Sequence, residues 1–114
     1  MSQSLTFNDY QVKALVTAIS VDDEFRDLVH WILGVSGEAG ELSEKFKKII
    51  RDKAGLVSEE DKIEMIKEMG DVLWYLAVLA KQLGVDFETV ANENVKKLQN
   101  RHSRNLIKGS GDNR

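Results

Sequence analysis

The chain has 114 residues, and its charge is nearly balanced, with 16 Lys and Arg against 19 Asp and Glu for a formal net charge of -3. That length holds one domain, the missing overall basicity gives no pointer to nucleic acid, and the absence of cysteine removes disulfides, thiolate metal sites and thiol nucleophiles. No apolar run reaches the roughly 20 residues of a membrane span, and His30 and His102 alone cannot build a three-histidine zinc site from one chain. Met1-Ser2-Gln3-Ser4 lacks a basic-then-apolar leader pattern, so the expectation is a cytoplasmic protein without membrane or nucleic-acid partners.

Zero proline and only 8 glycines disfavour a turn-rich β fold. Apolar spacing and end signals predict four helices instead, an all-α, four-helix bundle-like subunit. The first runs from Phe7 to Ile19 behind a cap-like Thr6-x-x-Asp9. The second begins near Asp22 or Asp23 and continues to about Arg51, where Asp52-Lys53-Ala54-Gly55 breaks it. The third starts at Ser58, with acids in the first turn, and ends at Gly84. The fourth runs from Asp86 to about Ile107. Residues 1–108 therefore read as a single domain, and 109–114 as a small polar tail, expected to be loose. A domain this small leaves much of its surface wet, which favours oligomerisation.

At ~100° per residue, the second helix gathers Leu28, Trp31, Ile32, Val35, Ala39, Leu42, Phe46, Ile49 and Ile50 in one stripe. Glu38 lies at its edge, Glu41 further out, and Glu44 further round the polar side. The third helix gathers Met65, Ile66, Met69, Val72, Leu73, Leu76, Leu79 and Leu83, with Glu68 at the edge and Asp71 further out on the same side. Packed antiparallel through these stripes, the two helices bring Glu38 and Glu41 opposite Glu68 and Asp71. Four converging carboxylates raise one another's pKa unless a cation neutralises them. Oxygen donors without histidine or cysteine favour Mg²⁺, with Mn²⁺ as substitute, and Mg²⁺ commonly meets substrate phosphates. A single Glu-x-x-Glu is ordinarily a solvated face with lysine partners, here Lys45, Lys47, Lys48 and Lys67. The paired occurrence at matched offsets argues for the metal.

Gly34, Gly37 and Gly40 recur beside these acids and cost about 1 kcal/mol each against alanine in a helix. Their spacing implies the close approach of another helix or of a ligand. Trp74, Tyr75 and Val78 extend the acid-bearing face of the third helix, either as a subunit interface or, at Tyr75, as a ring for a nucleobase. On the fourth helix Asn94, Lys97 and Arg101 fall near one line; they either contact phosphate oxygens or snorkel over apolar surface.

The run Gly37-Glu38-Ala39-Gly40-Glu41-Leu42-Ser43-Glu44 resembles the first motif of MazG-type all-α nucleoside triphosphate pyrophosphohydrolases. Glu68-Met69-Gly70-Asp71-Val72-Leu73-Trp74-Tyr75-Leu76 resembles the second, and Asn94-x-x-Lys97-x-x-x-Arg101 the C-terminal element. The resemblance implies a helical bundle assembling as a dimer or dimer of dimers. It implies Mg²⁺ at the positions matching Glu38, Glu41, Glu68 and Asp71, and hydrolysis of a (deoxy)nucleoside triphosphate to monophosphate and pyrophosphate, in a nucleotide-cleaning role. Under that reading Glu41 or Glu44 orients or deprotonates the attacking water. Asn94, Lys97 and Arg101 then steady phosphates, and Trp31 and Tyr75 are the candidates for base contact. The competing reading is a non-catalytic helical interaction module whose acids are surface charge. A di-iron carboxylate bundle fails, because Asp27-x-x-His30 is the sole acid-x-x-His pair.

Overall fold

A computed structural model describes residues 4–114, so the leader reading at Met1-Ser2-Gln3 lies outside the described residues. The order is α1 (Phe7–Leu15), α2 (Glu24–Lys53), α3 (Glu59–Gln82) and α4 (Phe87–Ser103), and no strand occurs among the described residues. Each helix starts where its sequence provides a side-chain acceptor for the free N–H groups of the first turn. Thr6 with Asp9 and Ser58 with Asp61 form reciprocal capping boxes, while Asp23 and Asp86 accept from the third residue of α2 and α4.

α1 stops at Leu15 rather than Ile19. The amides of Val16, Thr17 and Ala18 turn to the carbonyls three residues back, and the Thr17 hydroxyl accepts from the Trp74 indole at 2.9 Å. α4 likewise ends at Ser103, short of Ile107, because Asn105 enters the left-handed region at φ 62°. The Leu106 amide then bonds back to the Arg101 carbonyl at 2.7 Å.

The link 54–58 is short, with Ala54 and Gly55 at φ 51° and 78°, and it returns α3 along α2 as an antiparallel hairpin. Cross-helix contacts fix the register along its length. Lys53 bonds both carboxylate oxygens of Asp61 at 2.9 and 3.0 Å near the link, and the Trp31 indole donates to Gln82 at 3.2 Å at the far end. Between them the Tyr75 ring occupies the space that a Cβ on Gly34 would need. The close approach expected at the glycines is therefore an aromatic ring at Gly34, whereas Gly37 and Gly40 face open space in the isolated subunit.

α1 packs across α3 and α4 and fastens them together. Buried Gln11 donates to the carbonyls of Ala77 and Val85 and accepts from the Phe87 amide. Asn8 and Glu88 exchange two further bonds, and Phe7 meets Phe87 edge-on at 5.4 Å. Ala14, Trp31, Ala77, Val78, Ala80 and Phe87 form the buried core, flanked by Trp74 and Tyr75. α2 does not touch α4 among the described residues, so the subunit is a long hairpin with a two-helix cover at one end rather than a closed four-helix bundle.

Two further expectations change. The stripes assigned to the α2–α3 contact are only partly covered: Ile32, Phe46, Ile50, Ile66, Met69, Leu76 and Leu83 are between 37% and 64% exposed, whereas Trp31 and Ile49 are buried and Leu28, Val35, Leu42, Met65, Val72, Leu73 and Leu79 are half-buried. Ile49 alone of the α2 aliphatics is fully buried. The specific contacts across the hairpin lie towards the acid-bearing edge of those stripes, at Trp31, Gly34, Glu38 and Lys45 on α2 and Asp61, Glu68, Tyr75 and Gln82 on α3. The tail is not loose either. Asp112 bonds Lys97 and Arg101 at 2.8 and 3.0 Å, and the Arg114 guanidinium donates to the carbonyls of Leu106, Ile107 and Gly111.

Gly34→Ala should therefore destabilise the fold by about 1–3 kcal/mol through overlap with Tyr75, despite alanine's better helix propensity. Gly37→Ala and Gly40→Ala should stabilise it by up to about 1 kcal/mol each. Urea unfolding of the three variants checks this; a Gly34→Ala protein as stable as the parent would contradict the Tyr75 contact.

Candidate metal centre

Near the middle of the hairpin, Glu38 of α2 comes against Glu68 and Asp71 of α3, and each offers a carboxylate oxygen within 4.8 Å of the others. Glu68 and Asp71 are three apart on one helix, neighbouring positions on its surface. The antiparallel register brings Glu38 to them. Glu38 and Glu68 are half-buried and Asp71 is exposed, so the cluster is open on one side.

Crowding is visible in the ionisation of Glu38. Its pKa is raised, first by burial and then by the charges of Asp71, Glu68 and Glu41, with a hydrogen bond shared with Glu68 adding to the effect. Asp71 also raises the Tyr10 phenol, secondary to that group's own burial. One cation reaches the cluster: the Lys45 ammonium lies 3.7 Å from a Glu68 oxygen and 3.7 Å from a Glu64 oxygen. Three carboxylates with no nitrogen or sulfur donor form a hard-oxygen set that fits Mg²⁺ or Mn²⁺.

The other sequence candidates are placed differently. Glu41 is exposed and stands outside the three-oxygen group, acting on Glu38 only through its charge. Glu44 bonds Lys47 at 2.9 Å, which holds its pKa down. Trp31 is only 3% exposed, stacked on His30 at 4.6 Å, with its indole N–H used by Gln82; it has little surface left for a ligand in this subunit. Tyr75 is half-buried between Gly34 and the two tryptophans. On α4, Asn94 is open to solvent, so its amide needs no protein partner, while Lys97 and buried Arg101 are both engaged by Asp112. Sequence reasoning missed the bridging role of Lys45. Lys45 lies seven residues after Glu38, two turns along the same face, which is the signal that was there to be read.

Because folding raises the pKa of Glu38, its contribution to stability is fully present below the ordinary glutamate value of 4.5 and is lost as pH rises through the raised one. In the absence of metal, Glu38→Gln should therefore melt at a higher temperature than the parent at pH 7, with the gap closing on acidification. Thermal unfolding in a chelator between pH 4 and 8 measures this; a lower melting temperature for the variant at pH 7 would mean that the carboxylates do not repel one another.

A protein described as "Gene 37 protein", from Mycobacterium phage L5, is 46% identical over 109 residues, covering 92% of this chain and 96% of that one. No solved structure matches the chain. The family described as the MazG nucleotide pyrophosphohydrolase domain matches residues 25–105, a stretch that contains both acid pairs and nearly all of α2, α3 and α4. The chain belongs to the MazG nucleotide pyrophosphohydrolase domain family.

Proposed function

We propose that the chain is an Mg²⁺-dependent nucleoside triphosphate pyrophosphohydrolase that cleaves (deoxy)nucleoside triphosphates to monophosphate and pyrophosphate. The observation that carries this reading is the meeting of Glu38, Glu68 and Asp71 across the hairpin, in a protein of this family. These three would hold the ion, and Glu41, one turn beyond Glu38 on α2, is assigned as the further carboxylate ligand. A bound divalent ion supplies neutralisation of the triphosphate charge as the bond between the α-phosphorus and the bridging oxygen breaks.

The chain's own groups then have separable tasks. Glu41, exposed beside the cluster, orients an incoming water and accepts its proton as the water oxygen adds to the α-phosphorus. The bridging oxygen leaves with pyrophosphate. Glu44, held ionised by Lys47, is the weaker candidate for the same task. Tyr75 offers the edge of a ring for the base. Asn94, Lys97 and Arg101 are assigned to phosphate oxygens, with release of Asp112 preceding that contact.

We assign the exposed aliphatic side of the hairpin to a second copy of the chain, in a dimer or dimer of dimers. Leu42, Phe46, Ile50 and Met65 line one groove on it, and a monomer seldom exposes this much contiguous apolar surface. Assembly would bring α4 of one subunit towards the acids of another. Removal of unwanted nucleotides from the cytoplasmic pool is the role this activity would serve.

Incubation with canonical and modified triphosphates and Mg²⁺, assayed separately for pyrophosphate and orthophosphate, tests the reaction type. Pyrophosphate is expected. Glu68→Gln and Asp71→Asn should each lower its release by at least about 100-fold, with helical circular dichroism unchanged. Full activity in either variant, or orthophosphate as the first product, would contradict the assignment.

A further inference from the structure

Of the three clustered acids, Glu68 is the one that faces a protein cation; among the described residues Glu38 and Asp71 have no ion-pair partner. Lys45 reaches Glu68 from the opposite helix, and its side chain is 35% exposed against 16% for that of Glu68. A pair so sheltered interacts more strongly than one at the open surface, where ion pairs contribute little. Its distance of 3.7 Å is nevertheless longer than the 2.7–2.9 Å of a charge-assisted hydrogen bond, so the attraction is electrostatic and readily exchanged. Lys45 also has a second acid at the same distance, Glu64, which lies outside the cluster and is itself bonded to Lys67 at 3.0 Å.

We propose that Lys45 is the internal counter-cation of the acid cluster, a positioning residue that holds Glu68 at the hairpin seam and competes with the divalent ion for it. The inference rests on the metal reading of the cluster and adds to it a determinant of metal affinity. With an ion held by the cluster, Glu68 would serve as its ligand and Glu64, already 3.7 Å from the ammonium, would retain Lys45. The charge of Lys45 thus offsets part of the repulsion among the three acids in the metal-free protein. Lys45 lowers the affinity for metal and stabilises the empty site; it is not itself a ligand.

The test is calorimetric titration of the full chain with Mn²⁺ at low ionic strength, comparing the parent with Lys45→Met, Lys45→Gln and Lys45→Arg. Removal of the charge should tighten Mn²⁺ binding by about tenfold, the order expected for losing one nearby like charge from a partly sheltered site. Lys45→Arg should stay near the parent value. The gain should shrink as salt is raised past about 0.1 M, and metal-free Lys45→Met should melt below the parent. Unchanged or weaker Mn²⁺ binding in a neutral variant that retains its helicity would overturn the role given to Lys45. A parent chain that binds no Mn²⁺ would overturn the metal centre and this inference together, which separates the two failures. Lys45→Gln, whose polar tip resembles the parent's at the seam, decides the matter if Lys45→Met does not fold.

Discussion

The register of α2 against α3 is the constraint from which the rest follows. Tyr75 sits where Gly34 lacks a side chain, Trp31 is tied to Gln82, and Lys53 to Asp61. With those contacts made, an antiparallel pair has no freedom to keep Glu38 away from Glu68 and Asp71. A slide of one turn, about 5.4 Å, would separate the acids and relieve their repulsion, yet would lift the Tyr75 ring out of the space left by Gly34 and break the Trp31–Gln82 and Lys53–Asp61 contacts. Packing energy therefore holds an electrostatically unfavourable cluster in place. That division of labour is expected of a functional site, where a locally costly arrangement is maintained by the structure around it.

The two-helix cover serves the same end. Gln11 satisfies buried backbone groups on both α3 and α4, and the Trp74 indole closes onto Ala14 and Thr17. This fixes the C-terminal half of α3, the half that carries Tyr75, while leaving the acid cluster uncovered on one side. The outer side of the hairpin stays aliphatic and unclosed within one chain. The subunit is rigid where register matters and unfinished where another surface would complete it.

Much of this was legible in the sequence. The capping residues Thr6, Ser58 and Asp86 announced three helix starts and narrowed the other to Asp22 or Asp23, and the offsets of the acid pairs anticipated the meeting of Glu38 with Glu68 and Asp71. What periodicity does not tell is which of two buried-type faces meets a partner in the same chain. Ile66 and Met69 repeat at helical spacing as faithfully as Val72 and Leu79, but the first two face outward in the subunit. The contact is shifted towards the acid-bearing edge because aromatic residues and a glycine there interlock, a three-dimensional fit with no spacing rule. The same shift explains why Glu38 lies in the cluster and Glu41, further round α2, stands outside it. Asp112 was invisible for a different reason: a short polar tail gives no sign that one carboxylate will span Lys97 and Arg101.

The central claim is that these carboxylates form one cage for a divalent cation. Crystals grown with Mn²⁺ and measured at a wavelength where manganese scatters anomalously test it most directly. A manganese peak within about 2.5 Å of oxygens from Glu38, Glu68 and Asp71 is the result expected. Peaks elsewhere only, with these three side chains turned apart in the ion-soaked protein, would contradict it.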